Sequence, residues 1–212
     1  MSDDATPRGR GRPRTIDRDQ AVLTAMQTWW TEGVESVSVN AISRRTGLSK
    51  SSLYREFGGE DGLMAAALER YRDLAVRPLL GLLRRPGGES RPADVEGTLA
   101  LVVHGTTEPR GMPPGCFFTK LRLTETRLGK QTAGRVRSIL DERNAAFESW
   151  YAEILAHGQG NPALSAEEGA RYLDAQLTLL LVRVAAGDPV DAVRIDAMRA
   201  LSVLWTRSAG AS

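Results

Sequence analysis

The sequence predicts an all-α protein, a small N-terminal three-helix unit followed by a larger helical body. Three observations carry this. Apolar residues recur at helical spacing along most of the 212 residues, and no stretch alternates convincingly as a strand would. Helix-start and helix-stop residues punctuate that pattern at short intervals. The composition is globular, with 42% hydrophobic and 25% charged residues, which excludes wholesale disorder.

Residues 1–15 read as a flexible basic arm, because Gly9, Gly11 and Pro13 oppose a regular helix and nothing apolar anchors the segment. Asp17 is a candidate N-cap for a first helix over about 18–32, where Ala21, Val22, Ala25, Met26 and Trp29 form a stripe and Gly33 supplies a stop. Ser38 can cap a second helix over about 39–46, ended by Gly47, and Ser49 a third over about 50–57, ended by Gly58 and Gly59. The joint Gly47, Leu48, Ser49 has the length of a helix-turn-helix joint. Val39, Ile42, Leu48, Leu53 and Phe57, with Trp29 and Trp30, are expected to close the core. Lys50, Ser51, Tyr54 and Arg55 then occupy the opposite face of the third helix.

The body follows. A fourth helix is expected over about 60–77, with Pro78 kinking or ending it. Further helices read over about 93–106, 116–127, 131–157, 165–186 and 189–208. Asp188 and Pro189 read as an N-cap and a first-turn proline. The last two helices carry wide apolar stripes, and two readings stay open for them. One is a buried core. The other is a two-fold four-helix interface between two copies, formed by Leu177, Leu181, Val193, Leu201, Leu204 and Trp205.

The formal charge of +2 hides an uneven distribution. Residues 1–55 hold nine basic and six acidic side chains, a balance of +3, and residues 56–212 hold nineteen and twenty, a balance of −1. Arg8, Arg10, Arg12 and Arg14 form one cluster; Arg44, Arg45, Lys50 and Arg55 form another with no acid among them. Basic clusters flanking a short helical unit favour a polyanion partner. The single cysteine excludes an internal disulfide and fits a reducing compartment. No apolar run approaches the roughly 18 residues of a membrane helix, and no secretory signal is legible, so a cytoplasmic protein is expected. There is no HExxH, GxSxG, Walker loop or GxGxxG, so no enzyme activity, cofactor or metal is expected.

The stretch 33–63 resembles the DNA-binding domain of the TetR/AcrR family of bacterial transcriptional regulators. The matching pieces are Trp30 and Gly33, then Val39 and Ile42, the run from Thr46 to Tyr54, Phe57, and Asp61-Gly62-Leu63. Ser43 and Thr46 stand where the family usually has alanines. Ser51 replaces a frequent glycine, and Glu56 a frequent histidine or tyrosine. Glu60 replaces a lysine that in the family contacts phosphate; in the first turn it suits the helix dipole instead. The resemblance implies a helix-turn-helix DNA-binding domain over 16–59 and a helical ligand-binding and dimerisation domain over 60–212.

On that reading the third helix enters a major groove. Ser49, Lys50, Ser51, Ser52, Tyr54 and Arg55 are its contact residues, Arg44 and Arg45 straddle the backbone, and the Arg10-Gly11-Arg12-Pro13 segment, similar to an AT-hook, reaches a minor groove. The expected partners are a double-stranded operator, a second copy and a small-molecule effector. The function expected is a homodimeric repressor that a ligand releases; an activator, a ligand-independent DNA binder, or a helical enzyme or interaction module remain alternatives. Tyr71, His104, Cys116, Phe118 and Trp150 are candidate ligand contacts, although each can equally be plain core. Cys116 begins a helix, a position that favours thiolate reactivity, but an inert buried thiol is the favoured reading.

Overall fold

Three capping side chains set the first three helices. In the computed structural model, which describes residues 17–83, 95–108, 111–124 and 128–206, Asp17 accepts from the Gln20 amide to open α1 (Arg18–Glu32). Ser38 accepts from Ala41 to open α2 (Val39–Thr46), and Ser49 accepts from Ser52 to open α3 (Lys50–Phe57). Each hydroxyl or carboxylate satisfies an amide that the first turn leaves without an intrahelical partner. All three helices have the bounds expected. The Thr46 hydroxyl, at a family alanine position, bonds back to the Ile42 carbonyl and receives the Leu48 amide, so it braces the turn.

α4 (Glu60–Tyr71) does not end near Pro78. It widens into a π-helical turn (Arg72–Val76) and continues as α5 (Arg77–Gly81) with Pro78 in its first turn. Arg77 donates its amide to the Arg72 carbonyl, five residues back. The wide turn shifts the carbonyls that a proline ring would otherwise strike, so the chain absorbs the proline without stopping.

The rest of the body is α6 (Val95–Thr107), α7 (Phe117–Leu123), α8 (Lys130–Ala156), α9 (Ala166–Ala186) and α10 (Val190–Leu201), then a 3-10 turn (Ser202–Leu204). The fold is all-α; among the described residues the one β feature is an isolated bridge between Gly160 and Trp205. That bridge explains why the last helix stops short of 208. The Asn161 amide takes the Leu204 carbonyl, Tyr151 donates to the same carbonyl, and Thr206 donates to Gln159. Asp188 is not the cap of α10. It pairs with Arg183 at 2.7 Å, and Pro189 takes the N-cap position.

One buried core runs from Ile42, Leu53 and Phe57 through Leu63 and Leu68 to Phe117, Phe147, Tyr151 and Leu173. α4 packs on α1, α3, α7 and α8, while α8, α9, α10 and α6 pack in succession behind it.

Candidate nucleic-acid interface

α3 turns Leu53 and Phe57 inward and leaves Lys50, Ser51, Tyr54 and Arg55 in solvent. Tyr54 is 67% exposed, too much for a residue whose main task is packing. Its ring lies across the backbone of Gly59, where a side-chain carbon would stand 3.3 Å from Tyr54 Cε1. The hydroxyls of Ser51 and Ser52 each lie 2.9 Å from Ser49 Oγ, and Ser49 Oγ also holds the Ser52 amide. The Ser52 amide is therefore occupied, and Lys50 and Ser51 supply the open amides at the head of the helix. Arg18 lies over the Phe57 ring at 5.0 Å and ties the start of α1 to the end of α3.

Acids meet two of the arginines. Arg45 bonds to Glu32 at the end of α1. Arg55 pairs with Glu56 at 2.9 Å. Both pairs are solvent-exposed, so each holds its arginine weakly. Arg44 and Lys50 are exposed. Glu60 opens α4 half-buried, and burial raises its carboxyl above the usual range. Arg10 and Arg12 lie outside the described residues.

The joint between this head and the body is built on Asp61. Its carboxylate accepts from the Gln131 amide at 2.9 Å, the Thr132 amide at 3.0 Å and the Thr132 hydroxyl at 2.7 Å. A side chain at the start of α4 thus caps the N-terminus of α8. The approach is close: a side-chain carbon on Gly129 would stand 2.3 Å from the Asp61 carboxyl carbon. Burial pushes the Asp61 carboxyl up, but the hydrogen bonds from Thr132 and Gln131 outweigh it and hold it below the usual aspartate range. A carboxyl held low stabilises the fold above its unfolded value near ~3.9 and loses that contribution as pH falls through the lower folded value. Asp61→Ala is expected to cost about 2 kcal/mol at neutral pH and less at acid pH, below the unfolded value near ~3.9. Denaturant melts at both pH values check it, and an equal deficit at both would show that the carboxylate charge is irrelevant.

Behind the joint lies a cavity of about 550 Å³ between α1, the end of α4 and the π-helical turn, α6, α8, α9 and the segment before α7. Trp30, Tyr71, Cys116 and Arg143 line it among aliphatic side chains. The Tyr71 hydroxyl donates to Cys116 Sγ at 3.0 Å, and the Thr119 amide donates to the same sulfur at 3.3 Å, so Cys116 caps α7. Burial and the neighbouring sulfur push the Tyr71 phenol well above its usual range. Trp30 meets Tyr71 edge-on at 5.0 Å, and Lys120 donates to the Trp30 carbonyl at 2.6 Å. Arg143 pairs with Asp174 at 2.6 Å and lies over the Phe118 and Phe147 rings. A second depression, of about 710 Å³, lies between α6 and α10. Its walls include Leu101, 58% exposed, and it is a surface groove rather than an enclosed site.

Comparison with known proteins places this architecture. The family described as "Bacterial regulatory proteins, tetR family" matches residues 22–67, which span most of α1 and all of α2 and α3. The HTH-type transcriptional repressor ComR of Escherichia coli is 29% identical over 164 residues, covering 75% of this chain and 74% of that protein. The HTH-type transcriptional repressor BdcR of the same organism is 36% identical over 81 residues, or 37% and 41% of the two chains. A cysteine mutant of the TetR family transcriptional regulator CifR, complexed with a 26-bp operator DNA, superposes with a TM-score of 0.77 at 25% identity, covering 92% of this chain and all of that one. Residues 22–67 thus match the TetR family, and the chain as a whole has the fold of TetR-family regulators. Reduced NemR of E. coli, at 15% identity and a TM-score of 0.74 over 91% and 99% of the chains, shares the fold.

Taken together these matches support a DNA-binding transcriptional regulator. Among the described residues no helix is long and apolar enough to cross a membrane, and no group of three or more histidine, cysteine or acidic side chains could hold a metal. Of the expected ligand contacts, Tyr71 and Cys116 line the cavity. The other three do not. His104 faces outward into the α6–α10 groove, Phe118 is sealed beneath Arg143, and Trp150 is buried beside Tyr151. Trp30 and Arg143 were missed. Arg143 had a legible signal, since it stands four residues from both Ile139 and Phe147 on the buried face of α8.

The expected dimer contacts also need correction. Leu177, Leu181, Val193, Leu201 and Leu204 are buried within the chain itself, and Trp205 is half-buried. The stripes are wide enough to cover both an inner and an outer face, and these residues are the inner one. The large apolar side chains that α9, α10 and the following turn leave in solvent are Leu179, Val182, Ile195 and Val203.

Proposed function

We propose that this chain is a homodimeric repressor whose hold on an operator is released when a small molecule enters the cavity. The relatives named as repressors and the operator-bound neighbour support the class. The observation that carries the mechanism is the path of α4. Its first turn packs on α3 and caps α8 through Asp61, and Tyr71 and the π-helical turn that follows form a wall of the cavity. A molecule that reshapes the wall therefore acts on the orientation of the reading helix. A ligand preferring the released arrangement ~100-fold shifts the balance by about 2.7 kcal/mol, enough to empty most operators. On this reading residues 16–59 are the DNA-binding unit and 60–212 the effector and dimerisation unit, and the arm carrying Arg10 and Arg12 serves the adjacent minor groove. The reading assigns the chain binding and no catalysed reaction.

A pair of heads reads two half-sites about 34–36 Å apart, so specific binding requires two copies. Leu179 and Val182 are exposed apolar side chains three positions apart on α9, the face such a pair would bury. The double change Leu179→Glu and Val182→Glu is expected to leave the helical content unchanged. In sedimentation it should leave a particle of 23.0 kDa where the native chain gives twice that. A gel shift on DNA from upstream of the chain's own gene should weaken about 100-fold. A native chain that sediments as a single copy while binding that DNA specifically would sink the dimeric reading.

A further inference from the structure

Two buried donors stand on the wall of the cavity without an acceptor. Trp30 and Arg143 line it, and each is 3% exposed. Trp30 Nε1 and Arg143 Nε have no hydrogen-bond partner. A buried N–H left alone costs about 1–3 kcal/mol, so two on the walls of one cavity point to an acceptor that arrives from outside. The charges agree. Asp174 pairs with Arg143 at 2.6 Å and with Arg122 at 2.9 Å, so one carboxylate serves two guanidiniums and the trio keeps a net positive charge. The acid in the lining, Glu108, is solvent-exposed and stands 4.0 Å from His104. Leu74, Val76, Leu177, Leu181 and Val184 add an aliphatic wall.

We propose that the cavity binds an apolar molecule bearing a carboxylate, whose oxygens accept from Arg143 and Trp30 while its body lies against the aliphatic wall. The assignment rests on the reading of this cavity as the effector site and adds the chemical class of the effector. An anion gains here because the local charge is positive and the donors are already desolvated. An ammonium loses for the same two reasons, and a neutral alcohol recovers only part of the gain.

Isothermal titration of the full-length chain with 4-phenylbutyrate, 4-phenylbutan-1-ol and 4-phenylbutylamine tests this, because the three share one body and differ in the head group. The carboxylate is expected to bind about tenfold or more tighter than the alcohol, with the amine weakest. Trp30→Phe keeps an aromatic ring and removes one donor, and should erase most of the carboxylate's advantage while leaving alcohol binding within about twofold. Arg143→Lys keeps the charge and removes Nε–H, and should do the same. If that variant unfolds beside Asp174, the Trp30 comparison decides alone. Equal binding of acid and alcohol, preference for the amine, no binding of any of the three, or an acid preference that survives Trp30→Phe overturns the proposal. A native chain that prefers the carboxylate but keeps its DNA when the cavity is full leaves the proposal standing and overturns the release mechanism instead.

Discussion

Gly62→Ala is expected to cost about 3 kcal/mol or more and to lower Tm by roughly 6–12 °C. A side-chain carbon at Gly62 would stand 1.7 Å from the Phe57 carbonyl oxygen and 2.8 Å from its carbon. Both partners are backbone, so neither can swing aside as a flexible side chain would. Relief requires the end of α3 to separate from the first turn of α4, and that interface carries Leu53, Phe57 and Leu63 of the core. DNA affinity should therefore fall together with stability. Calorimetry and a gel shift on the same preparation check the pair, and a Gly62→Ala protein that melts like the native chain would mean that the close approach is absent in solution.

The double substitution Lys50→Ala and Tyr54→Ala is expected to behave in the opposite way, leaving stability intact and removing specific DNA binding. Both side chains are exposed and neither fills the core. Each contact to a base or phosphate is worth about 1–3 kcal/mol, so two lost per copy should weaken specific binding at least ~100-fold. The residual affinity should be sequence-independent, and its salt dependence should be shallower because a phosphate neutraliser is gone. A titration at two salt concentrations on specific and scrambled DNA measures both effects. Undiminished specific binding would move the reading surface away from α3.

These expectations rest on the part of the molecule that its sequence describes best. The head is written locally: Asp17, Ser38 and Ser49 each cap an amide three residues away, and Gly33, Gly47 and Gly58 stop the same helices. Caps and stops act within one turn, so a reader of residues 17–59 meets nearly everything that decides the structure there. The body is written at longer range. The partners of Asp61 lie 70 and 71 positions away. Arg143 meets Asp174 only after α8 and α9 fold back on each other. No periodicity shows which side of a wide stripe faces inward, which is why Leu177 and Leu201 looked as available to a second copy as Leu179 and Ile195. Pro78 read as a stop because the proline penalty assumes α geometry throughout, and a π-helical turn evades it.

The bonds from Asp61 to Gln131 and Thr132 bear on chimeras. Cutting the chain between residues 59 and 60 looks like the natural seam for grafting a foreign reading head, yet Trp30, on the head side of that seam, walls the cavity and takes Lys120 on its carbonyl. A transplanted head would bring its own side chain to that wall and so retune what the body senses. A functional cassette would therefore have to carry residues up to Asp61 together with a matching Gly129–Thr132 segment, a division of the chain that its linear order does not suggest.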